Sequence, residues 1–134
     1  MSPSEKIKFI SNWIKSYVDQ MPSRAKSLVI GISGGIDSSV SSTLSAMTGL
    51  KTIVLTMPIK QIKEQNDLSH LHKKWLSDKF NNVESYTLEL DDVFKNFENT
   101  LSVFKNEHGM ANSRARLRMT TLYQVAAANK GIVV

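Results

Sequence analysis

The run "SLVIGIS" is short, apolar and free of polar–apolar alternation. Successive side chains of a strand point to opposite faces, so a run without alternation reads as a strand covered on both sides. Three more short runs follow it, "KTIVLTMPI", "VESYTLEL" and the final "GIVV". Between them lie segments of helical length and spacing, over 37–47, 61–80, 93–104 and 110–129. Strands that alternate with helices call for a parallel sheet with both faces covered. The expected fold is therefore α/β, an open parallel sheet of about four strands with helices on both faces, in one domain over residues 1–134.

The helical segments carry their own signals. Ser2 and Glu5 have capping-box spacing, Pro3 falls at the first helical position, and Pro22 marks a boundary beyond the helix. Ile7, Ile10, Ile14 and Tyr17 then predict one buried face. Leu68, Leu71 and Trp75 mark one side of the next long helix but one. Val93, Phe94, Phe97, Leu101 and Phe104 predict a single amphipathic helix, broken by "NEHG" at 106–109. In the last helix Ala111, Ala115, Met119, Leu122 and Ala126 share a face suited to the sheet. Trp13 and Trp75 are expected in the core or an interface.

Composition excludes several chemistries. The 134 residues include no cysteine, which removes disulfides, thiolate metal sites and cysteine nucleophiles. No stretch approaches the roughly 20 apolar residues of a membrane span. The N-terminus places charges where a signal peptide has its apolar region, so a cytoplasmic protein is expected. The net charge of +5 invites anionic partners, although most of the lysines also read as a solvated face.

The chemistry concentrates in "GISGGIDSS", at the carboxyl end of the first strand, where ligands sit in open parallel sheets. Gly34 and Gly35 let main-chain N–H groups approach a ligand, and the hydroxyls of Ser33, Ser38 and Ser39 add donors. The start of a helix adds partial positive charge, so the turn reads as an anion cradle. It has no Walker lysine and no G-x-G-x-x-G pattern. Asp37 reads two ways, as a helix cap or as a carboxylate that holds Mg²⁺ against phosphate oxygens. The residues alone leave both readings open. Arg114, Arg116 and Arg118 likewise read either as a solvated face or as an anion-binding wall, with Asn112, Arg116 and Tyr123 on one flank of the helix. His70 and His72, two apart, face different ways and suit no common metal; His108 is placed in a loop.

The motif S-G-G-x-D-S resembles the pyrophosphate loop of the ATP pyrophosphatase, or PP-loop, superfamily, whose fold is adenine nucleotide alpha hydrolase-like. Those enzymes split ATP between its α and β phosphates. The run N-x-x-A-R-x-R-M-x-x-L-Y, at Asn112, Ala115, Arg116, Arg118, Met119, Leu122 and Tyr123, resembles the corresponding helix of ammonia-dependent NAD synthetases.

That resemblance implies that Gly31, Ile32, Ser33, Gly34, Gly35, Ile36, Asp37 and Ser38 bind ATP, with Asp37 also holding Mg²⁺. It implies that Arg116, with Asn112 and Arg118 beside it, binds deamido-NAD. The implied reaction adenylates the nicotinate carboxylate and lets ammonia displace AMP, with no side chain acting as a covalent nucleophile and a homodimer as the working form. In the family a G-T segment and a Mg²⁺-binding glutamate follow the "GIVV" strand. The chain is thus expected to be the front part of a protein about twice as long, incomplete for catalysis by itself. Two other readings stand beside this one: a PP-loop enzyme that adenylates tRNA, and a non-catalytic nucleotide-binding or dimerisation module. The missing cysteine and the lack of an aromatic-basic platform make nucleic acid an unexpected partner.

Overall fold

A computed structural model of the chain describes residues 1–60 and 63–134. The elements in order are α1 (Pro3–Asp19), β1 (Ser27–Gly31), α2 (Ile36–Ala46), β2 (Thr52–Thr56), α3 (Lys63–Lys79) and β3 (Val83–Thr87), then α4 (Asp91–Thr100), α5 (Glu107–Ala128) and β4 (Gly131–Val133). The first two residues of the helix expected over 61–80 lie outside the described residues.

The four strands form one parallel sheet in the order β3-β2-β1-β4. The chain builds outward from β1 through β2 to β3, then returns through α5 to place β4 on the other side of β1. The loop after β1 consequently sits where the strand order reverses, the usual ligand position in such sheets.

Alternate residues of the central strands serve opposite layers. Val29, Ile53 and Leu55 face α4 and α5, packing with Phe94, Met110 and Ala126. Ile30 and Val54 face α2 and α3, against Ala46 and Leu76. Leu28 meets Val18 of α1 and Ala25. Each large side chain so buried contributes about 1.5–3 kcal/mol relative to exposure. Two-sided coverage is what the apolar runs demanded. It does not extend to the sheet's edges: among the described residues β3 and β4 are the outer strands, β3 largely exposed and β4 half-buried.

Three helical expectations are corrected. The capping box of Ser2 and Glu5 forms as expected, but α1 turns Ser11 and Val18 inward and leaves Ile7, Ile10, Trp13 and Tyr17 exposed. Small Ser11 allows close approach to α2, its hydroxyl donating to the Leu44 carbonyl at 3.3 Å. Trp13 stacks on Tyr17 at the surface, with ring centroids 5.5 Å apart, and Trp75 too is exposed, which excludes the core and not an interface. The expected helix over 93–104 ends at Thr100 and tightens into a 3₁₀ turn over Ser102–Phe104. Phe94 is buried there, while Phe104 is exposed.

The last helix begins three residues before its expected start. Asn106 caps it by accepting the Gly109 N–H at 2.9 Å, so His108 lies in a first helical turn rather than a loop. The sheet-facing side of α5 is also rotated. Met110, Leu117, Leu122, Val125 and Ala126 pack inward, whereas Ala111, Ala115 and Met119 face out.

Candidate functional site

The turn after β1 is held by its own serines. Ser38 Oγ accepts from Ser33 N–H at 3.0 Å and lies 3.1 Å from Ser33 Oγ. Gly35 N–H donates to Ser33 Oγ at 3.2 Å, and the Ser39 hydroxyl donates to the Gly35 carbonyl at 2.9 Å. The hydroxyls expected to bind a ligand therefore also shape the loop. With Gly35 as N-cap, the N–H groups of Ile36, Asp37 and Ser38 fall before the first i→i−4 bond, which Ser39 N–H makes to Gly35. N–H groups so placed suit an anion.

Gly34 answers to two constraints at once. Its φ is +94°, and a Cβ placed there would lie 2.5 Å from the backbone oxygen of Gln65 on α3. Only glycine lets the loop and α3 approach so closely.

The loop forms one wall of a cleft of about 500 Å³. Gly31, Ile32, Ser33 and Gly35 contribute from β1 and its turn, and Arg118 and Leu122 from α5. Met57, Ile59, Lys60 and Gln65, from the β2–α3 connection and α3, complete it. Sequence reasoning missed these last four and Leu122's part in the cleft. Their signal was available, since the carboxyl end of β2 is subject to the same rule that singled out β1.

The β2–α3 turn is tethered on its far side. Arg118 Nε donates to the Met57 carbonyl at 2.9 Å, and Leu90 N–H donates to the Pro58 carbonyl at 3.1 Å. Burial, then the charge of Arg114, lowers the pKa of Arg118, with Asp91 opposing; an arginine remains a cation throughout. At the end of the strands, Lys73 Nζ donates to Thr56 Oγ1 at 3.1 Å and to Thr87 Oγ1, joining β2 to β3. Burial lowers the pKa of this lysine.

The expected acceptor residues do not gather in the cleft. Arg116 lines a separate groove of about 290 Å³ between α4 and α5, with Val93, Phe94 and Phe97. Asn112 is exposed one turn earlier, its Nδ2 3.5 Å from His108 Nε2. Arg118 alone of the three lines the same cleft as the turn after β1. Asp37 stands exposed in the first turn of α2, beside the orphan N–H groups. Among the described residues no group of three or more His, Cys, Asp or Glu could hold a metal ion. His72 has a structural role: its Nε2 lies 2.9 Å from the buried Ser42 hydroxyl, its ring stacks on Trp75, and burial lowers its pKa. No helix among the described residues is long and apolar enough to cross a membrane.

The family model described as NAD synthase matches residues 6–134. The NH(3)-dependent NAD(+) synthetase of Mesoplasma florum is 35% identical over the whole chain and 54% of its own length. That of Staphylothermus marinus is 30% identical over 95% of the chain and 46% of its own. The structure of NMN synthetase from Francisella tularensis superposes with a TM-score of 0.87 at 32% identity, covering 99% of this chain and 53% of that one. The NH3-dependent NAD synthetase of Campylobacter jejuni gives 0.84 at 26% identity, with 99% and 56% covered. The chain spans about half the length of the curated relatives it matches.

Proposed function

The chain belongs to the NAD synthase family, and from that premise we propose that it serves the ATP-dependent amidation of deamido-NAD to NAD, its 134 residues supplying the ATP-binding unit. The observation that carries this reading is the cleft at the carboxyl ends of β1 and β2, walled by the S-G-G-x-D-S turn and Arg118. The backbone N–H groups at the start of α2 bind phosphate oxygens, and Met57, Ile59 and Leu122 offer the apolar surface that a base or ribose needs. The nicotinate carboxylate attacks the α-phosphate, pyrophosphate leaves, and ammonia then displaces AMP. The chain's own groups hold and orient the reactants and stabilise negative charge.

Asp37 suits Mg²⁺, because that ion is commonly bound by one or two carboxylates together with substrate phosphates and water. When bound, the ion would neutralise charge on the phosphates beside this carboxylate. Asp37→Asn is expected to remove the Mg²⁺ dependence of ATP binding, read by calorimetric titration with and without the metal. Undiminished dependence in the variant would assign the metal elsewhere.

The two arginines divide the work. Arg118→Ala should weaken ATP about 10- to 100-fold, the loss of one hydrogen bond to a charged group. Arg116→Ala should weaken deamido-NAD and spare ATP. Equal losses of both ligands in either variant would sink the division. The exposed apolar side chains of α1 support a homodimer, and a cytoplasmic setting matches the substrates.

The likeness to an NMN synthetase favours a second reading, in which the acceptor is the nicotinate mononucleotide rather than the dinucleotide. Titrating the chain with each acceptor in turn, in the presence of Mg-ATP, decides between them. Binding of neither acceptor would count against both.

A further inference from the structure

Lys60 holds a place that suits glycine better. It lies in the turn after β2 with φ +47°, a left-handed backbone that crowds any Cβ. The turn is nonetheless pinned there, with Asp91 Oδ1 accepting from Lys60 N–H at 2.7 Å. What glycine would lack is the side chain. Lys60 is one of the residues lining the cleft, and its ammonium meets Glu98 Oε1 of α4 at 2.8 Å.

Two features make this ammonium transferable. Glu98 is only 13% exposed and sits among several cations. Its pKa is lowered first by the hydrogen bond from Lys60, and further by the charges of Lys60, Lys105 and Arg114. The charges of Lys105 and Arg114 act on the same carboxylate, more weakly than Lys60 does. Lys60 itself is 60% exposed on a flexible stem, whereas the cleft's other cation, Arg118, has its Nε committed to the Met57 carbonyl. The phosphate loop contains no lysine of its own.

We propose that Lys60 is a phosphate-binding cation of the cleft, exchanging Glu98 for the nucleotide's phosphates, so that Glu98 sets how tightly the nucleotide is held. This deepens the ATP reading of the cleft and rests on it.

The test titrates the full chain with Mg-ATP and with adenosine, in wild type, Lys60→Gly, Glu98→Gln and the double variant. Glycine relaxes the backbone at this position, so Lys60→Gly should melt at or above the wild-type temperature. It should still bind ATP about tenfold more weakly, with a shallower salt dependence, and adenosine within about twofold of wild type. Glu98→Gln should tighten ATP about threefold, a gain that vanishes when Lys60 is also removed. Unchanged ATP affinity and salt dependence in Lys60→Gly, an equal loss of adenosine, or a Glu98→Gln gain that survives in the double variant each overturn the proposal. A wild-type chain that binds no ATP overturns the ATP reading itself, and this inference with it.

Discussion

Replacing Gly34 with alanine is expected to destabilise the protein by about 2–5 kcal/mol and to abolish ATP binding together with that stability. About 1–2 kcal/mol comes from forcing an L-residue into a left-handed backbone, here at φ +94°. A further 1–3 kcal/mol or so comes from overpacking. The new methyl would fall 2.5 Å from the Gln65 carbonyl oxygen. That oxygen belongs to the backbone of α3 and cannot rotate away, so the loop must retreat from the helix. Retreat moves the N–H groups at the start of α2 away from the position proposed for a phosphate. Thermal unfolding should shift by roughly 3–5 °C per kcal/mol for a chain of this size. An alanine variant that melts and binds ATP like the wild type would show that the loop does not depend on this contact.

The second large effect lies away from the phosphate loop. Phe94→Ala should destabilise by about 3–5 kcal/mol, the range for removing a buried phenylalanine. Phe94 is fully enclosed, stacks on Phe97 at 5.8 Å, and lies beneath the Arg114 guanidinium at 5.6 Å. It docks α4 on the sheet and α5. Because α4 carries Asp91, which accepts the Lys60 N–H and so pins the turn that lines the cleft, ATP affinity should fall as α4 loosens, even though Phe94 lines no part of the cleft. Phe94→Leu keeps most of the volume and should lose less than half as much stability. Denaturant midpoints of the two variants test the ranking. Equal midpoints would mean that α4 contributes nothing through this side chain.

Much of the architecture was readable from local pattern. The apolar runs predicted strands covered on both faces, and Val29, Ile53 and Leu55 on one side with Leu28, Ile30 and Val54 on the other bear that out. The capping box of α1 formed from the two residues that announced it. These are features of neighbouring residues, whose backbone preferences and hydrogen bonds need no distant partner to be recognised.

Helix faces were less legible. Of Ile7, Ile10, Ile14 and Tyr17, which recur at helical spacing, only Ile14 packs inward, and α1 docks through it together with Ser11 and Val18. A helix with apolar residues on more than one side does not declare which side meets the sheet; a small residue that permits close approach can outweigh a larger one. The same rotation in α5 turned Arg118 toward the cleft and left Arg116 over a groove against α4. Their sequence separation of two residues became a separation of roles.

By itself the sequence determined the strand–helix alternation, the parallel sheet and the S-G-G-x-D-S turn at the end of β1, because each follows from short-range stereochemistry and the burial of apolar runs. Only the tertiary structure decided that Met57, Ile59, Lys60 and Gln65 close the cleft, that Glu98 holds Lys60, and that Arg118 is the arginine facing the loop. Those partnerships join residues far apart in the chain, and they depend on the angle at which each helix settles on the sheet. That angle is set by the combined packing of many side chains, which no local pattern encodes.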